Sequence, residues 1–374
     1  MLRLFVLGAS GQFGIRLCSR LADLPMQLVL IGRNERKLDA SRRDLLRSHP
    51  DAQIDIKSCD IHSQAFRELL KTEKPDFLIH LAGPFQDQDY GIARACLDTG
   101  VSYIDMADGR DFVRDFASLD HAAKEKGITL ITGASTVPGL SSAVIDHYLK
   151  DFLQMESVDY GISAGLKTGL GLATLKAVLS YCGRPYQVLR GGVTTAIYGL
   201  GRARHHDYPA PVGRRHMVDC DIPDHDLFPA HYPSLRYMDF GSCIDMPLLD
   251  QVLSLMSFCV RKGWIKDWDF LSGLIKPFMD VTKIFGSRHS GFFMELGGQD
   301  EDGKSKKLLF EIIARDGSGL EIPVIPVTLM VKRLLRGDKL RAGAYPALGL
   351  FSLDEFKEEL KPYPISWIER DTTP

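Results

Sequence analysis

"VLGASGQFG", residues Val6 to Gly14, decides how this chain is read. Gly8, Gly11 and Gly14 sit three apart, directly after the apolar run "LRLFVL". Beyond them "FGIRLCSRLADL" places Ile15, Leu17, Leu21 and Leu24 at helical spacing. A glycine turn between a strand and a helix is the context in which a backbone can cradle phosphate. Gly8 would allow the tight turn, Gly11 a close approach of backbone N–H groups, and Gly14 close packing of helix on sheet. The helix N-terminus adds positive dipole and N–H donors, and Ser10 offers a hydroxyl beside Gln12 and Phe13. The spacing is G-x-x-G-x-x-G, not G-x-G-x-x-G, and a plain strand-to-helix turn has the same look. The residues beyond Leu24 decide between the two.

The alternation continues. "MQLVLIGR", "AQIDIKSCD", "PDFLIHLAG", "SYIDMA" and "ITLITGA" read as strands two to six. Between them "NERKLDASRRDLLRSH", "SQAFRELLKTE", "YGIARACLDTG" and "FASLDHAAKEKG" read as helices, with Ser63 as an N-cap and Gly100 and Gly127 as C-terminal stops. Short apolar strands alternating with helices predict right-handed βαβ units and a parallel sheet covered on both faces. The fold class is therefore α/β, a doubly wound parallel Rossmann sheet, with a second mixed α+β domain after it.

After about residue 140 the rhythm changes. "SVDYGISAG" and "QVLRGGVTTAIYG" read as strands around the helix "LATLKAVLSYCG". A tract rich in Pro, His and Arg, Gly201 to Pro233, reads as loop, and helical stretches come next at Pro247–Lys262 and Trp268–Phe285. "SGFFMELGGQDEDGKSKKLLFEIIAR" predicts a hairpin, "VIPVTLMVKRLL" a helix and "SLDEFKEELKPY" a capped helix. The expected domains are 1–139 for nucleotide binding, 140–340 for substrate and dimerisation, and a 341–374 segment packing back on the first.

Composition narrows the functional classes. The chain has 374 residues, 45% hydrophobic and 25% charged, with formal net charge −2, which gives no bulk electrostatic case for nucleic acid or an anionic membrane. Seven scattered cysteines with no C-x-x-C argue against a disulfide framework or a thiolate metal site and fit a cytoplasmic protein; no metal is expected. The opening "MLRLFVLG" starts like a secretory leader, but its apolar run is too short and ends in a glycine turn. The apolar residues of the stretches from Pro247 to Phe285, among them Leu255, Trp264 and Phe278, read first as core or as the interface of a homodimer, and a membrane contact is disfavoured.

With six βα units behind it, the glycine turn reads as a dinucleotide site. An enzyme taking NAD carries Asp or Glu at the end of strand two to meet the ribose 2′-hydroxyl. Here that place reads "LIGRN", with Arg33 and Asn34 and no acid. A guanidinium suits a 2′-phosphate, so NADP is expected over NAD. Asp60, after strand three, is placed either for the adenine amino group or as a helix cap. "LAGPF" ends strand four, where Ala82 and Gly83 leave room for ribose and nicotinamide and Pro84 fixes the loop. "YIDMADGRDF" brings Asp105, Asp108, Arg110 and Asp111 to the carboxyl end of strand five as acid/base or loop-bonding candidates. "ASTVPGLSS" opens a helix that would seat a substrate carboxylate or only link domains.

Together "GASGQFG", "GRN", "AGPFQDQDYGIARACLDTGVSYIDMADGRDF" and "GASTVPGLSSAVID" resemble the saccharopine dehydrogenase family. The resemblance continues, weaker, through "LATLKAVLSYCGRP", "CDIPDHDLFP" and "IPVIPVTLMVKRLLRGD". It implies NADP-dependent hydride transfer at a C–N centre of an amino-acid-like, carboxylate-bearing small molecule, with Gly8, Ser10, Gly11, Gly14, Arg33 and the Ala82–Pro84 loop as cofactor contacts. The family's acidic-Pro-Gly motif after strand six is here "TVPG", without the acid.

Such chemistry needs a base near nitrogen and an arginine clamp for the carboxylate. Lys167, Lys176 and His205 are base candidates. "GRARHHDYPAPVGRRH", with Arg202, Arg204, His205, His206, Arg214, Arg215 and His216, reads as a substrate-facing loop or as a solvated basic one. No tyrosine is followed four residues later by lysine, which argues against a short-chain dehydrogenase. The remaining rival is a non-catalytic NADP(H)-binding redox sensor or scaffold.

Overall fold

The computed structural model describes residues 1–86, 88–168, 172–246, 249–268, 284 and 286–373. The chain divides into two compact units, Met1–Leu140 with Glu321–Phe351, and Ser141–Leu320 with Ser352–Pro374.

The first unit is built on β1 (Leu2–Leu7), β2 (Met26–Gly32), β3 (Gln53–Ser58), β4 (Phe77–His80), β5 (Ser102–Asp105) and β6 (Thr129–Thr132). All six read from the sequence, and the sheet has one strand more, Gly343–Pro346, which is β15 in chain order. The sheet order is β15-β6-β5-β4-β1-β2-β3 and every pairing is parallel. The order reverses beside β1, so the loops after β1 and β4 flank one crevice at the carboxyl edge.

The apolar runs form strands because both faces are covered. Leu4, Phe5, Val6 and Leu7 are each 0% exposed. Burying such a side chain contributes about 1.5–3 kcal/mol, so these strands need no polar alternation. Ser63 caps the helix Gln64–Glu73 by accepting from the Phe66 N–H, and Gly100 ends the helix Gly91–Thr99 at φ +73°. One helix starts earlier than the sequence suggests. Arg110–Asp115 is already helical, because Phe112 and Phe116 pack edge-on against Tyr90 at 4.9 and 5.5 Å.

The second unit is a mixed sheet, ordered β10-β11-β12-β7-β13-β14-β16. Its strands are β7 (Gln154–Ala164), β10 (Ala203–Asp207), β11 (Arg214–Asp219), β12 (Tyr237–Ile244), β13 (Ser290–Gln299), β14 (Ser305–Ala314) and β16 (Ile365–Asp371). β7 and β12 pair in parallel and the other pairings are antiparallel. β8 (Pro185–Arg190) and β9 (Val193–Tyr198) form a separate ribbon.

Three sequence expectations change here. The tract from Gly201 to Pro233 is not loop: it holds the β10–β11 hairpin and the helix Asp224–His231. Its charged residues conceal strands whose cations are neutralised by distant carboxylates. The chain is not divided once near residue 140 and again near 340, because Glu321–Phe351 returns to the first unit, where Glu321 pairs with Arg16 and Arg20 at 3.3 and 3.2 Å. The final segment is shared: β15 pairs with β6, whereas β16 pairs with β14 of the second unit. Most of the expected helix Trp268–Phe285, with Phe278, lies outside the described residues.

Candidate functional site

The glycine turn is dictated by close backbone approach. Gly8 has φ +80°, and a Cβ there would lie 2.8 Å from the Leu81 carbonyl carbon and 2.9 Å from the Ala82 nitrogen. A Cβ on Gly14 would overlap the Gly8 carbonyl oxygen. The Gly11 N–H donates to the Gly8 carbonyl at 2.9 Å and closes the turn. The helix Gln12–Leu21 then starts with no side-chain cap and no acid in its first turn. Ser10 and Gly11 are exposed beside it, and Gln12 and Phe13 are half-buried. This cradle is open where an anion would need it: backbone donors at a helix N-terminus, no competing carboxylate, and glycines where side chains would fill the space.

Arg33 stands at the end of β2, exposed, and its guanidinium makes no ion pair or hydrogen bond among the described residues. The Arg33 and Gly32 carbonyls accept from Ser58 Oγ at 3.4 Å and the Cys59 N–H at 3.0 Å, which ties the ends of β2 and β3 together. Asn34 caps the next helix by accepting from the Lys37 N–H at 3.0 Å. Asp60 takes the His62 N–H on Oδ1 at 3.1 Å, and its carbonyl holds Ser63 Oγ at 2.6 Å. Asp60 thus shapes the turn while Ser63 caps the helix.

The loop after β4 abuts the glycine turn. Gln88 Nε2 donates to the carbonyls of Ala82 at 2.9 Å and Pro84 at 2.7 Å, bracing Ala82, Gly83 and Pro84 from outside. Phe85 is buried edge-on against His80 and Phe112, at 5.0 and 5.5 Å. Gln86 Nε2 donates to Asp108 Oδ1 at 3.1 Å, joining this loop to the one after β5. Burial raises the Asp108 carboxyl above its usual range, opposed by the Gln86 bond.

Asp105 is fully buried. Its Oδ1 accepts from the Ala107 N–H at 2.9 Å, the Gly133 N–H at 2.8 Å and Thr132 Oγ1 at 2.9 Å. Burial pushes its pKa up to about 6 against those donors. Its geometry knots the ends of β5 and β6. Below it His80, 1% exposed, shares a hydrogen bond with the Tyr103 hydroxyl at 3.0 Å, and burial holds the imidazole down to about 3. His80, Tyr103 and Gln88 are supports that the sequence did not reveal, because His80 and Tyr103 meet across two strands and Gln88 reaches Ala82 and Pro84 only through the fold of its own loop.

The remaining candidates belong to the second unit. Lys167 is exposed in the short turn Leu166–Thr168, and Lys176 is half-buried on the helix Leu172–Ser180. His205 is exposed on β10 opposite His216. Arg202 pairs with Asp219 at 3.2 Å and also with Asp239, and Arg204 with Asp159 at 2.8 Å and Asp239 at 2.9 Å. Arg214 pairs with Asp207 at 2.6 Å and Arg215 with Asp245 at 2.7 Å. His206 stacks on Phe293 at 3.9 Å and reaches the buried Glu311 at 2.8 Å. Burial pushes Asp239 up, but the guanidiniums of Arg204, Arg190 and Arg202 overcome this and hold it below its ordinary range. The basic tract is therefore a paired hairpin, not an open clamp. No cluster of three or more His, Cys, Asp or Glu suited to a metal occurs among the described residues.

Residues 5–131 match the family described as the saccharopine dehydrogenase NADP binding domain. No curated protein matches the chain by sequence. Among solved structures the chain is similar to apo saccharopine dehydrogenase (L-Glu forming) from Saccharomyces cerevisiae, with TM-score 0.68, 13% identity and 100% of both chains covered. It is also similar to amine dehydrogenase from Mycobacterium smegmatis, with TM-score 0.50, 13% identity and 92% and 94% of the two chains covered. Residues 5–131 thus match the saccharopine dehydrogenase NADP binding domain, and the chain as a whole shares the fold of a saccharopine dehydrogenase.

Proposed function

We propose that this protein is an NADP(H)-dependent oxidoreductase that transfers hydride at a C–N centre of an amino-acid-like, carboxylate-bearing small molecule. The carrying observation is the pairing of an uncapped glycine-turn helix with Arg33, a guanidinium with no carboxylate partner at the end of β2. Backbone donors of the turn would hold the pyrophosphate, with Ser10 beside them. Arg33 would take the 2′-phosphate by a forked, charge-assisted contact. Asp60 offers its second carboxylate oxygen toward an adenine amino group. The braced loop Ala82–Pro84 would leave space for ribose and nicotinamide and exclude water from that side.

When bound, NADP(H) supplies or accepts the hydride. The C–N assignment draws on the fold shared with a saccharopine dehydrogenase and an amine dehydrogenase. Asp108, half-buried with its carboxyl raised by burial, is the acid/base candidate at the carboxyl edge of the first unit. Asp105 serves better as a knot than as a proton carrier, because three donors occupy one of its oxygens.

One observation favours a second reading, a redox sensor or scaffold that binds NADP(H) without turnover. The arginines Arg202, Arg204, Arg214 and Arg215 are all spent on carboxylates. The test is NADPH titration followed by a turnover screen against amino acid and oxoacid pairs. Tight binding with turnover supports the oxidoreductase; tight binding with none across the screen supports the sensor; no binding overturns both.

A further inference from the structure

The loop after β4 is fixed at both ends by its neighbours. The Leu81 N–H donates to the Leu7 carbonyl at 2.9 Å, which continues the β1–β4 pairing, and the Gly8 backbone abuts Leu81 and Ala82. At the far end Phe85 is buried, and Gln86 bonds Asp108 at 3.1 Å. A Cβ on Gly109 would lie 3.0 Å from the Phe85 carbonyl oxygen, so the loop after β5 presses on that end too. The middle, Ala82 to Pro84, has little of its own to hold it. Pro84 has no N–H to donate. The Gly83 N–H reaches only back to the Leu81 carbonyl, at 3.2 Å.

Gln88 supplies what the middle lacks. Its backbone N–H donates to the Phe85 carbonyl at 3.4 Å, a turn that carries the side chain back toward the loop. Its Nε2 has two hydrogens, and they meet two acceptors, the carbonyls of Ala82 at 2.9 Å and Pro84 at 2.7 Å. Carbonyls two residues apart thus converge on one nitrogen, which sets the curvature of the segment between them. The buried His80 ring also borders the Ala82 backbone, so Ala82 is held from two sides and Pro84 through Gln88. The sheet separates this device from the adenine-side candidates. The order β4-β1-β2-β3 puts Arg33, after β2, two strands from β4. With strands about 4.8 Å apart, that is about 10 Å. Asn34 and Asp60 bond within their own turns, to Lys37 and His62.

We propose that Gln88 is a positioning residue for the nicotinamide half of the cofactor: its amide holds Ala82–Pro84 in the path beside Gly8 that the nicotinamide ribose needs, and it adds nothing to the adenine half. The inference rests on the NADP(H) reading above and deepens it by dividing the crevice into two independently supported parts. Without the amide, two carbonyl dipoles lose their donor and turn to other donors or to water. The segment between them then samples more than one path, and NADPH must order it at a cost in affinity. Arg33 and the glycine turn keep their geometry, because the bonds of Gln88 run to its own loop.

The test is titration of the full-length parent, Gln88→Glu and Gln88→Leu with two probes: NADPH, and adenosine 2′,5′-bisphosphate, which carries the adenine half alone. Gln88→Glu keeps the shape without a donor at neutral pH, and Gln88→Leu removes the donors without adding charge. Both variants should bind NADPH about fivefold or more weakly and the bisphosphate within about twofold of the parent. The emission of bound dihydronicotinamide should fall toward that of the free nucleotide, a signature that a support of the fold alone would not move while the bisphosphate still binds. Circular dichroism matching the parent establishes that both variants are folded. NADPH affinity equal to the parent's in both variants overturns the inference and leaves the NADP(H) reading standing. Equal loss of both probes also overturns it, and makes Gln88 a support of the whole crevice. A parent that binds neither probe overturns the NADP(H) reading itself, and this inference with it.

Discussion

The backbone of Gly8 rests against that of Leu81, so closely that a Cβ on Gly8 would lie 2.8 Å from the Leu81 carbonyl carbon. The glycine turn and the loop after β4 are therefore one packed unit. Gly8→Ala adds this overlap to a φ of +80° that disfavours any side chain. The variant should lose about 1–3 kcal/mol of stability. It should also bind NADPH more weakly, measured by denaturant titration and by fluorescence titration. A variant equal to the parent in both would show that the Leu81–Ala82 backbone yields freely.

Arg33→Asp replaces an uncommitted cation at the end of β2 with a carboxylate. NADPH binding should weaken by about tenfold or more, because a charge-assisted contact to phosphate is lost and repulsion gained. NADH binding should be unchanged or improved, since a carboxylate there suits a ribose 2′-hydroxyl. Parallel titrations with both nucleotides check this, and equal losses for both would remove Arg33 from the 2′-phosphate.

Tyr103→Phe strips the hydroxyl that meets His80 at 3.0 Å in the interior. A buried imidazole nitrogen is then left without its partner, at a cost of about 1–3 kcal/mol. Urea denaturation of parent and variant measures the loss. A loss below about 0.5 kcal/mol would mean that another group takes over, in contrast to the penalty normally found for a buried orphan.

A pH dependence should come from Asp224, which is fully buried and accepts from Ser141 Oγ and the Tyr160 hydroxyl, both at 2.6 Å. Burial raises its pKa to about 7, opposed by those two donors. Unfolded aspartate titrates near about 4, so between that pH and about 7 the folded state holds a proton that the unfolded state has lost. This group's contribution to stability is present below that window and is lost as pH rises through it. Asp224→Asn should therefore gain on the parent as pH rises from about 4 to about 7, read from urea midpoints across pH. A difference flat with pH would show that Asp224 is ionised throughout.

The parallel sheet was legible because β1, β2, β4, β5 and β6 are largely buried and read as short apolar runs, while the edge strand β3 keeps Ile54 and Ile56 in alternation. β15 escaped because "GAYP" is four residues with a proline, and only β6 gives it a place. The β10–β11 hairpin escaped for a different reason. "ARHHD" and "RRHMVD" look solvated until Asp159 and Asp239, far along the chain, pair with Arg204, and Glu311 hydrogen-bonds to His206. Within the candidate cofactor site, Gly8 and Arg33 could be singled out from local spacing alone. The His80–Tyr103 bond could not, since no local pattern encodes a bond across neighbouring strands, and the Gln88 bonds depend on how the loop after β4 folds back on itself.

The return of β15 to β6 bears on the order in which this protein is made. A ribosome releases the first six strands of the nucleotide sheet early, yet the seventh emerges only after nearly the whole of the other unit. Until residue 346 emerges, the Thr129–Thr132 strand is an uncovered sheet edge, open to pairing with another nascent chain. A message truncated after residue 340 would retain every residue of the glycine turn and still leave its sheet unfinished.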